Sequence, residues 1–161
     1  MRVGTGYDLH RFRDPAEGTL RLGGVEVPGA PCLEGHSDGD ALIHAIIDAL
    51  LGAAGEGDIG RHFPPGEEAT RGIDSRELLK RVQRLVVARG FSIENVDATV
   101  IAERPRLSAH IEGMRDSIAV VLGLPAARVN VKATTNERVG EIGAGLAIAA
   151  MAVALLEEDV R

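Results

Sequence analysis

Apolar residues recur at Leu42, Ile43, Ile46, Ile47, Leu50 and Leu51, the three-and-four spacing of a helix with a buried stripe. Asp38 precedes this run as an N-cap candidate and Gly52 stands near its end, so the pattern predicts a helix beginning at Asp40. A second helix is expected after Asp74, which is followed three residues later by Glu77 in a variant of the capping box; Leu78, Leu79, Val82, Leu85 and Val86 carry it to about Arg89, where Gly90 stops it. Ser108 to Leu122 reads as a third helix, closed by Gly123 and Pro125. Met1 to Tyr7 reads as a strand, and Leu20-Arg21-Leu22, Gly23-Gly24, Val25-Glu26-Val27 as a hairpin around a Gly-Gly turn. Ile93 to Ala102 is strand-like. From Val129 to Thr135, Val129, Val131 and Ala133 alternate with Asn130, Lys132 and Thr134, the period of a half-buried strand. Gly55 to Gly72 is rich in Gly, Pro and charge and reads as a long loop, of the kind that often belongs to a site. Gly145 to Glu157 holds many alanines; propensity alone predicts helix, although a buried strand of small residues would look similar. The order suits a layered α+β domain with helices on one face of a mixed sheet.

No repeat, low-complexity tract or Ser/Pro-rich linker divides the 161 residues, of which 45% are apolar, so one domain over residues 1–161 is expected. Acidic residues number 24 against 18 basic ones, a net charge of -6, and the aromatic residues are three Phe and one Tyr. Such a surface lacks both the positive field and the stacking platforms of a nucleic-acid binder. A local basic pocket for an anion remains compatible with that balance. Cys32 is the single cysteine, so a metal site within one chain must use His, Asp or Glu. The first residues lack the apolar run of a secretory leader, and the apolar stretch from Leu146 to Leu156 is too short to span a bilayer. The expectation is a cytoplasmic protein that does not insert into membranes.

Four of the five histidines, at 10, 36, 44 and 62, fall in one stretch with many acidic residues. Asp8 and His10 are two apart at the end of a strand, so they project to one side. His44 lies one helical turn after Asp40 and one before Asp48, either of which could accept from its second ring nitrogen. Three ligands with an open fourth position describe a catalytic zinc site, and Asp8, His10 and His44 fit that description, with His36 close by. The bland alternative is a solvated strand end and a solvated helix face. Lys132-Ala133-Thr134-Thr135-Asn136-Glu137 ends a strand with a cation, two hydroxyls and a carboxylate, which suits a phosphate with a hard cation such as Mg²⁺. The glycines near either end form neither a Walker loop nor a dinucleotide fingerprint.

Taken in order, Gly6-Tyr7-Asp8-Leu9-His10, His36-Ser37-Asp38-Gly39-Asp40, His44, Asp48-Ala49-Leu50-Leu51-Gly52, Gly57-Asp58-Ile59-Gly60, Asp74-Ser75-Arg76 and Lys132-Ala133-Thr134-Thr135 make the chain resemble the 2-C-methyl-D-erythritol 2,4-cyclodiphosphate synthases from end to end. The resemblance implies an enzyme of non-mevalonate isoprenoid synthesis. Its substrate would be 4-diphosphocytidyl-2-C-methyl-D-erythritol 2-phosphate, cyclised by attack of its own 2-phosphate with release of CMP. It further implies Asp8, His10 and His44 as zinc ligands, Glu137 as ligand of a second ion, Mg²⁺ or Mn²⁺, and His36 with Thr135 as the pair stabilising the transferring phosphate. Substrate contacts would come from Asp8, Leu9, His10, His36 and Ser37; from Asp58, Ile59 and Gly60; and from Phe63, Pro64, Pro65, Gly66 and Glu67. The cytosine pocket would be Ala102, Glu103, Arg104, Pro105, Arg106, Leu107 and Ser108, and the phosphate contacts Thr134, Thr135, Asn136 and Glu137.

The resemblance also implies a homotrimer of ferredoxin-like protomers with sites between neighbouring subunits, and a C-terminal strand in place of the helix that propensity predicts. Three departures stand out. Asn136 replaces a Thr common in the family, and Pro65-Gly66 stands where many members have an acidic residue. Gly143-Ala144-Gly145-Leu146-Ala147 replaces a Gly-Arg-Gly-Glu-Gly run, so the isoprenoid diphosphate site attributed to that run does not carry over. Two other readings use the same residues: a metallohydrolase whose metal-bound water attacks phosphorus, and a non-catalytic, metal-stabilised trimer that binds nucleotides.

Overall fold

β1 (Arg2–Arg11) turns Gly4 and Gly6 to one side, with Asp8 and His10 in the same parity, while Val3, Thr5, Tyr7 and Leu9 are exposed on the other. A methyl group on Gly4 would overlap the carbonyl oxygen of Ala49, and one on Gly6 the carbonyl oxygen of Ala45. With no Cβ at either position, helix α1 (Ala41–Ala54) lies backbone to backbone on β1. The computed structural model that gives this arrangement describes residues 1–14 and 16–158. Residues 15 and 159–161 of the expected domain lie outside the described residues.

α1 is buried on almost every residue and forms the middle of the core, not a one-stripe surface helix. Its N-cap is Asp40, not Asp38. The Asp40 carboxylate, fully buried, accepts from Ile43 N at 3.0 Å and from the turn amides Gly23 N at 2.9 Å and Gly24 N at 2.7 Å. One carboxylate thus starts the helix and satisfies the turn between β2 (Leu20–Leu22) and β3 (Val25–Val27), the hairpin read from the sequence. α1 continues past Gly52 and ends on Gly55 in the left-handed conformation, φ 75.

The expected loop from Gly55 to Gly72 contains one helical turn, α2 (Ile59–His62), and a 3₁₀ turn at Glu68–Thr70. α3 (Ser75–Ala88) with Asp74 as N-cap, β4 (Phe91–Ile101), α4 (Ile111–Leu122, three residues later than the expected start at Ser108) and β5 (Val129–Thr134) follow the order expected from the sequence; a short α5 (Gly140–Gly143), not expected, leads to β6 (Ala147–Glu158). The final element corrects the helix that propensity predicts. β6 is an inner strand hydrogen-bonded to β1 on one side and β4 on the other. Ile148, Ala150, Ala152, Ala154 and Leu156 on it are all at most 3% exposed. Two satisfied strand edges and burial outweigh alanine's modest helix preference.

The sheet runs β1-β6-β4-β5, antiparallel except for the parallel pair β4-β5. α1, α3 and α4 form the helical layer, so the protein is α+β with a mixed sheet. The opposite side of the sheet stays bare, with Val3 66%, Tyr7 55%, Met151 54% and Val153 42% exposed. β1, β4 and β5 share one direction, and Leu9, Ala149, Ile101 and Thr134 stand in one row across them. The exits of these three strands therefore gather at one end of the sheet. At about 4.8 Å per strand, the β1 exit and the β5 exit are roughly 14 Å apart. Among the described residues no helix is long and apolar enough to cross a membrane.

Candidate metal centre

The close approach permitted by Gly4 and Gly6 brings His44 down onto the end of β1. Asp8 Oδ2 lies 2.8 Å from His10 Nε2 and 3.0 Å from His44 Nδ1, and the two ring nitrogens are 3.1 Å apart. Two nitrogens and one carboxylate oxygen converge in a near-equilateral triangle. Ligand atoms held about 2.0–2.1 Å from a tetrahedral zinc stand roughly 3.3 Å apart. The triangle and its donor set therefore fit a divalent cation, which Asp8, His10 and His44 would hold.

The electrostatics agree. Burial works to raise the Asp8 carboxyl, but the adjacent imidazoles of His10 and His44 outweigh it and hold that group well below the usual carboxylate range. Burial works to lower His10, yet the Asp8 carboxylate more than offsets it and the imidazole is shifted upward. On the far side of the His44 ring, Nε2 is 2.9 Å from Ser75 Oγ and 3.0 Å from Ser37 Oγ. Neither carboxylate expected there takes part: Asp40 caps α1, and Asp48 accepts from Ile59 N at 2.7 Å, which anchors α2 beside the centre.

A cavity of about 280 Å³ opens on the triangle, lined by Asp8, His10, His36, Ser37 and His44 and by Ile59, Gly60, Phe63 and Pro65 from the loop after α1. His36 Nε2 donates to the Glu67 carbonyl at 2.8 Å, and Asp58 caps α2 through Arg61 N at 2.9 Å. Pro64, Gly66 and Glu67 complete that loop without lining the cavity. Leu9 has the parity opposite to Asp8 and His10, so its side chain is on the bare face of the sheet. His62 is not part of the cluster; its Nε2 donates to the Glu56 carbonyl at 2.8 Å.

The remaining candidates lie at the other edge. A cavity of about 940 Å³ is lined by Ala102, Glu103, Pro105, Arg106, Leu107 and Ser108 from the β4 exit and by Thr134 and Thr135 from the β5 exit. Arg104 instead lines a separate cavity of about 660 Å³ near Phe12 and Leu146. Thr135 Oγ1 donates to Glu137 Oε1 at 3.2 Å, and Asn136 Nδ2 donates to the Val139 carbonyl at 2.7 Å. Glu137 and Arg138 occupy the left-handed region, φ 49 and 62, a conformation that L side chains rarely adopt. Ser75, which touches His44, was not singled out as a site residue by sequence reasoning; its only signal is its place in Asp74-Ser75-Arg76.

The model of the YgbB family matches residues 1–157. The chain belongs to the YgbB family. A relative from Gloeobacter violaceus, named 2-C-methyl-D-erythritol 2,4-cyclodiphosphate synthase, is 57% identical over 98% of this chain and 96% of its own length. Among solved YgbB-like structures, the bifunctional IspDF of Campylobacter jejuni superposes with a TM-score of 0.93 at 39% identity; the match covers 98% of this chain and 42% of that larger one. IspF of Plasmodium falciparum, solved as a CDP complex, gives a TM-score of 0.85 at 34% identity, covering 99% of this chain and 97% of that one.

Proposed function

We propose that this YgbB-family chain cyclises 4-diphosphocytidyl-2-C-methyl-D-erythritol 2-phosphate to 2-C-methyl-D-erythritol 2,4-cyclodiphosphate and releases CMP, the reaction for which its full-length relatives are named. The observation that carries the proposal is the Asp8–His10–His44 triangle opening on a cavity edged by His36 and Ser37. In this reaction an oxygen of the substrate's 2-phosphate bonds to the β-phosphorus while the bond from that phosphorus to the CMP oxygen breaks, and CMP leaves with the electron pair. The nucleophile belongs to the substrate, so the protein's task is positioning and charge stabilisation.

Asp8, His10 and His44 would hold zinc, and Glu137 a second ion, Mg²⁺ or Mn²⁺. Such ions supply charge neutralisation on phosphoryl oxygens when bound. Ser37 offers a hydroxyl at the edge of the triangle beside the His36 ring, and Thr135 offers a hydroxyl for the same phosphate. The loop Asp58, Ile59, Gly60, Phe63, Pro64, Pro65, Gly66 and Glu67 would contact the erythritol and ribose, and Leu9, whose side chain is on the other face of the sheet, would reach substrate only through its backbone. Ala102 through Ser108 would take the cytosine, and Thr134, Asn136 and Glu137 the phosphates.

A separation of roughly 14 Å between the two strand exits supports a site shared between copies, one copy's triangle facing another's β5 exit. The bare apolar sheet face, with Val3, Tyr7, Met151 and Val153, supplies a surface for such an assembly. We therefore take the chain as one cytoplasmic domain, ferredoxin-like, that assembles as a homotrimer.

Incubating the purified, zinc-loaded protein with the cytidyl substrate and Mg²⁺ or Mn²⁺, followed by ³¹P NMR, is the test. Equimolar CMP and cyclic diphosphate are expected. An open-chain phosphate would assign the protein as a metallohydrolase instead, and binding without turnover as a nucleotide-binding trimer. Sedimentation equilibrium checks the assembly.

A further inference from the structure

We infer that Asp38 and Ser75 select the tautomer in which His44 can bind a metal, making them positioning residues for the centre. The inference rests on the reading of Asp8, His10 and His44 as metal ligands. Ser75 is fully buried and opens α3, while Asp38 precedes α1, and the two lie 37 positions apart in the chain.

Both oxygens of Asp38 are met by donors. Oδ2 accepts from Ser75 N at 3.0 Å, and Oδ1 accepts from Asp40 N at 3.2 Å and faces Ser75 Oγ at 2.5 Å. A carboxylate so placed is an acceptor only, so the one proton of the Ser75 hydroxyl points at Asp38. What Ser75 then presents to His44 Nε2, 2.9 Å away, is a lone pair. Only an Nε2 that carries hydrogen suits that partner. A neutral imidazole protonated on Nε2 has a bare Nδ1, and Nδ1 is the atom that faces Asp8 and His10.

Without this chain of hydrogen bonds the preference would run the other way, because Asp8 Oδ2 sits 3.0 Å from Nδ1 and favours a proton there. The Ser75 oxygen gives the proton a place on the opposite nitrogen. Ser37 Oγ is also 3.0 Å from Nε2, but Ser37 lines the cavity. Since Nε2–H is the donor, the Ser37 hydroxyl proton stays available for a ligand oxygen.

Asp38→Asn is nearly isosteric and tests the direction of the chain. Asn offers one acceptor oxygen where Asp38 uses two. Either its NH₂ group confronts Ser75 N–H, or it donates to Ser75 Oγ and turns the hydroxyl proton onto His44 Nε2. Asp38→Asn and Ser75→Ala are each expected to weaken zinc binding by about 10- to 100-fold, measured by competition with a chromophoric chelator on the full-length protein. Ser75→Thr keeps the hydroxyl and is expected to retain affinity near wild type. A purely structural role would lower the melting temperature and leave affinity in place. Variants that fold and hold zinc within about threefold of wild type would overturn the inference.

If the variants fail to fold, the wild-type protein decides. In its zinc-loaded form the His44 Nε2–H resonance is expected to be protected from solvent exchange, and a freely exchanging proton would overturn the relay. Wild-type protein that takes up no zinc would instead sink the metal centre itself, so the two failures are distinguishable.

Discussion

The two edges of the sheet carry candidate chemistry in opposite ways. At the β1 edge Asp8, His10 and His44 are packed under a core helix, held by buried partners, and spaced within about one ligand shell. At the β5 edge Thr135, Asn136 and Glu137 are tied, among the described residues, to each other and to nearby backbone, on largely exposed chain beyond a strand end. The first edge is preorganised by the fold of one protomer. The second offers polar groups that gain a defined target only when something approaches from outside. On the proposed function, the difference separates a site built by the core from one that assembly and substrate would complete, and it can be tested from both sides.

The largest effect is expected from His44→Ala. Removing one of the three proposed ligands should abolish zinc retention, read by atomic emission after dialysis, and lower cyclisation by about three orders of magnitude. Turnover at the wild-type rate by zinc-free protein would break the contrast at its stronger end.

Gly6→Ala reaches the same edge through packing. The added methyl must displace the Ala45 carbonyl and with it the turn of α1 that carries His44. A loss of about 3 kcal/mol in urea unfolding is expected, together with weaker zinc binding, because neither backbone can yield without the other. An unchanged unfolding midpoint would show that α1 does not depend on that close approach.

Much of the β1 edge was legible in the sequence, and the reasons are local. Two-residue spacing on a strand and a histidine on an apolar helix specify a shared direction without knowledge of the fold. What was not legible depends on long-range contacts. Asp38 was the cap expected for α1; the cap is Asp40, because the amides of Gly23 and Gly24 need its carboxylate. Ser75 meets His44 across 31 positions, which no spacing rule anticipates. In β6 the alanines favour helix locally, but only a strand satisfies both neighbouring edges. The residues of the β5 edge could be named from the family resemblance, yet their distance from the triangle became visible only with the strand order.

Thr135→Ala tests that weaker edge. Loss of the hydroxyl proposed to contact the transferring phosphate should lower turnover on the order of 10²-fold, with zinc content and melting temperature unchanged. If zinc were lost as well, the two edges would be coupled inside one protomer and the contrast would fail.

The smallest effect concerns what holds the β5 edge to the sheet. Asp97 on β4 accepts from Lys132 at 2.5 Å and from Asn130 at 2.8 Å, both on β5, and the Lys132 hydrogen bond is the main cause of a carboxyl held below its ordinary value. A depressed folded-state value means that the pair contributes stability above the unfolded value of 3.8 and loses it as pH falls through the folded value. The side chains are 41% and 50% exposed, so solvent screening limits the contribution to no more than about 1 kcal/mol. Asp97→Asn should therefore lower the melting temperature slightly at pH 7, and the gap to wild type should close as pH drops below 3.8. A gap that persists unchanged in acid would mean that Asp97 acts through packing at the β4-β5 junction, and this edge would then share the rigidity so far assigned to β1 alone.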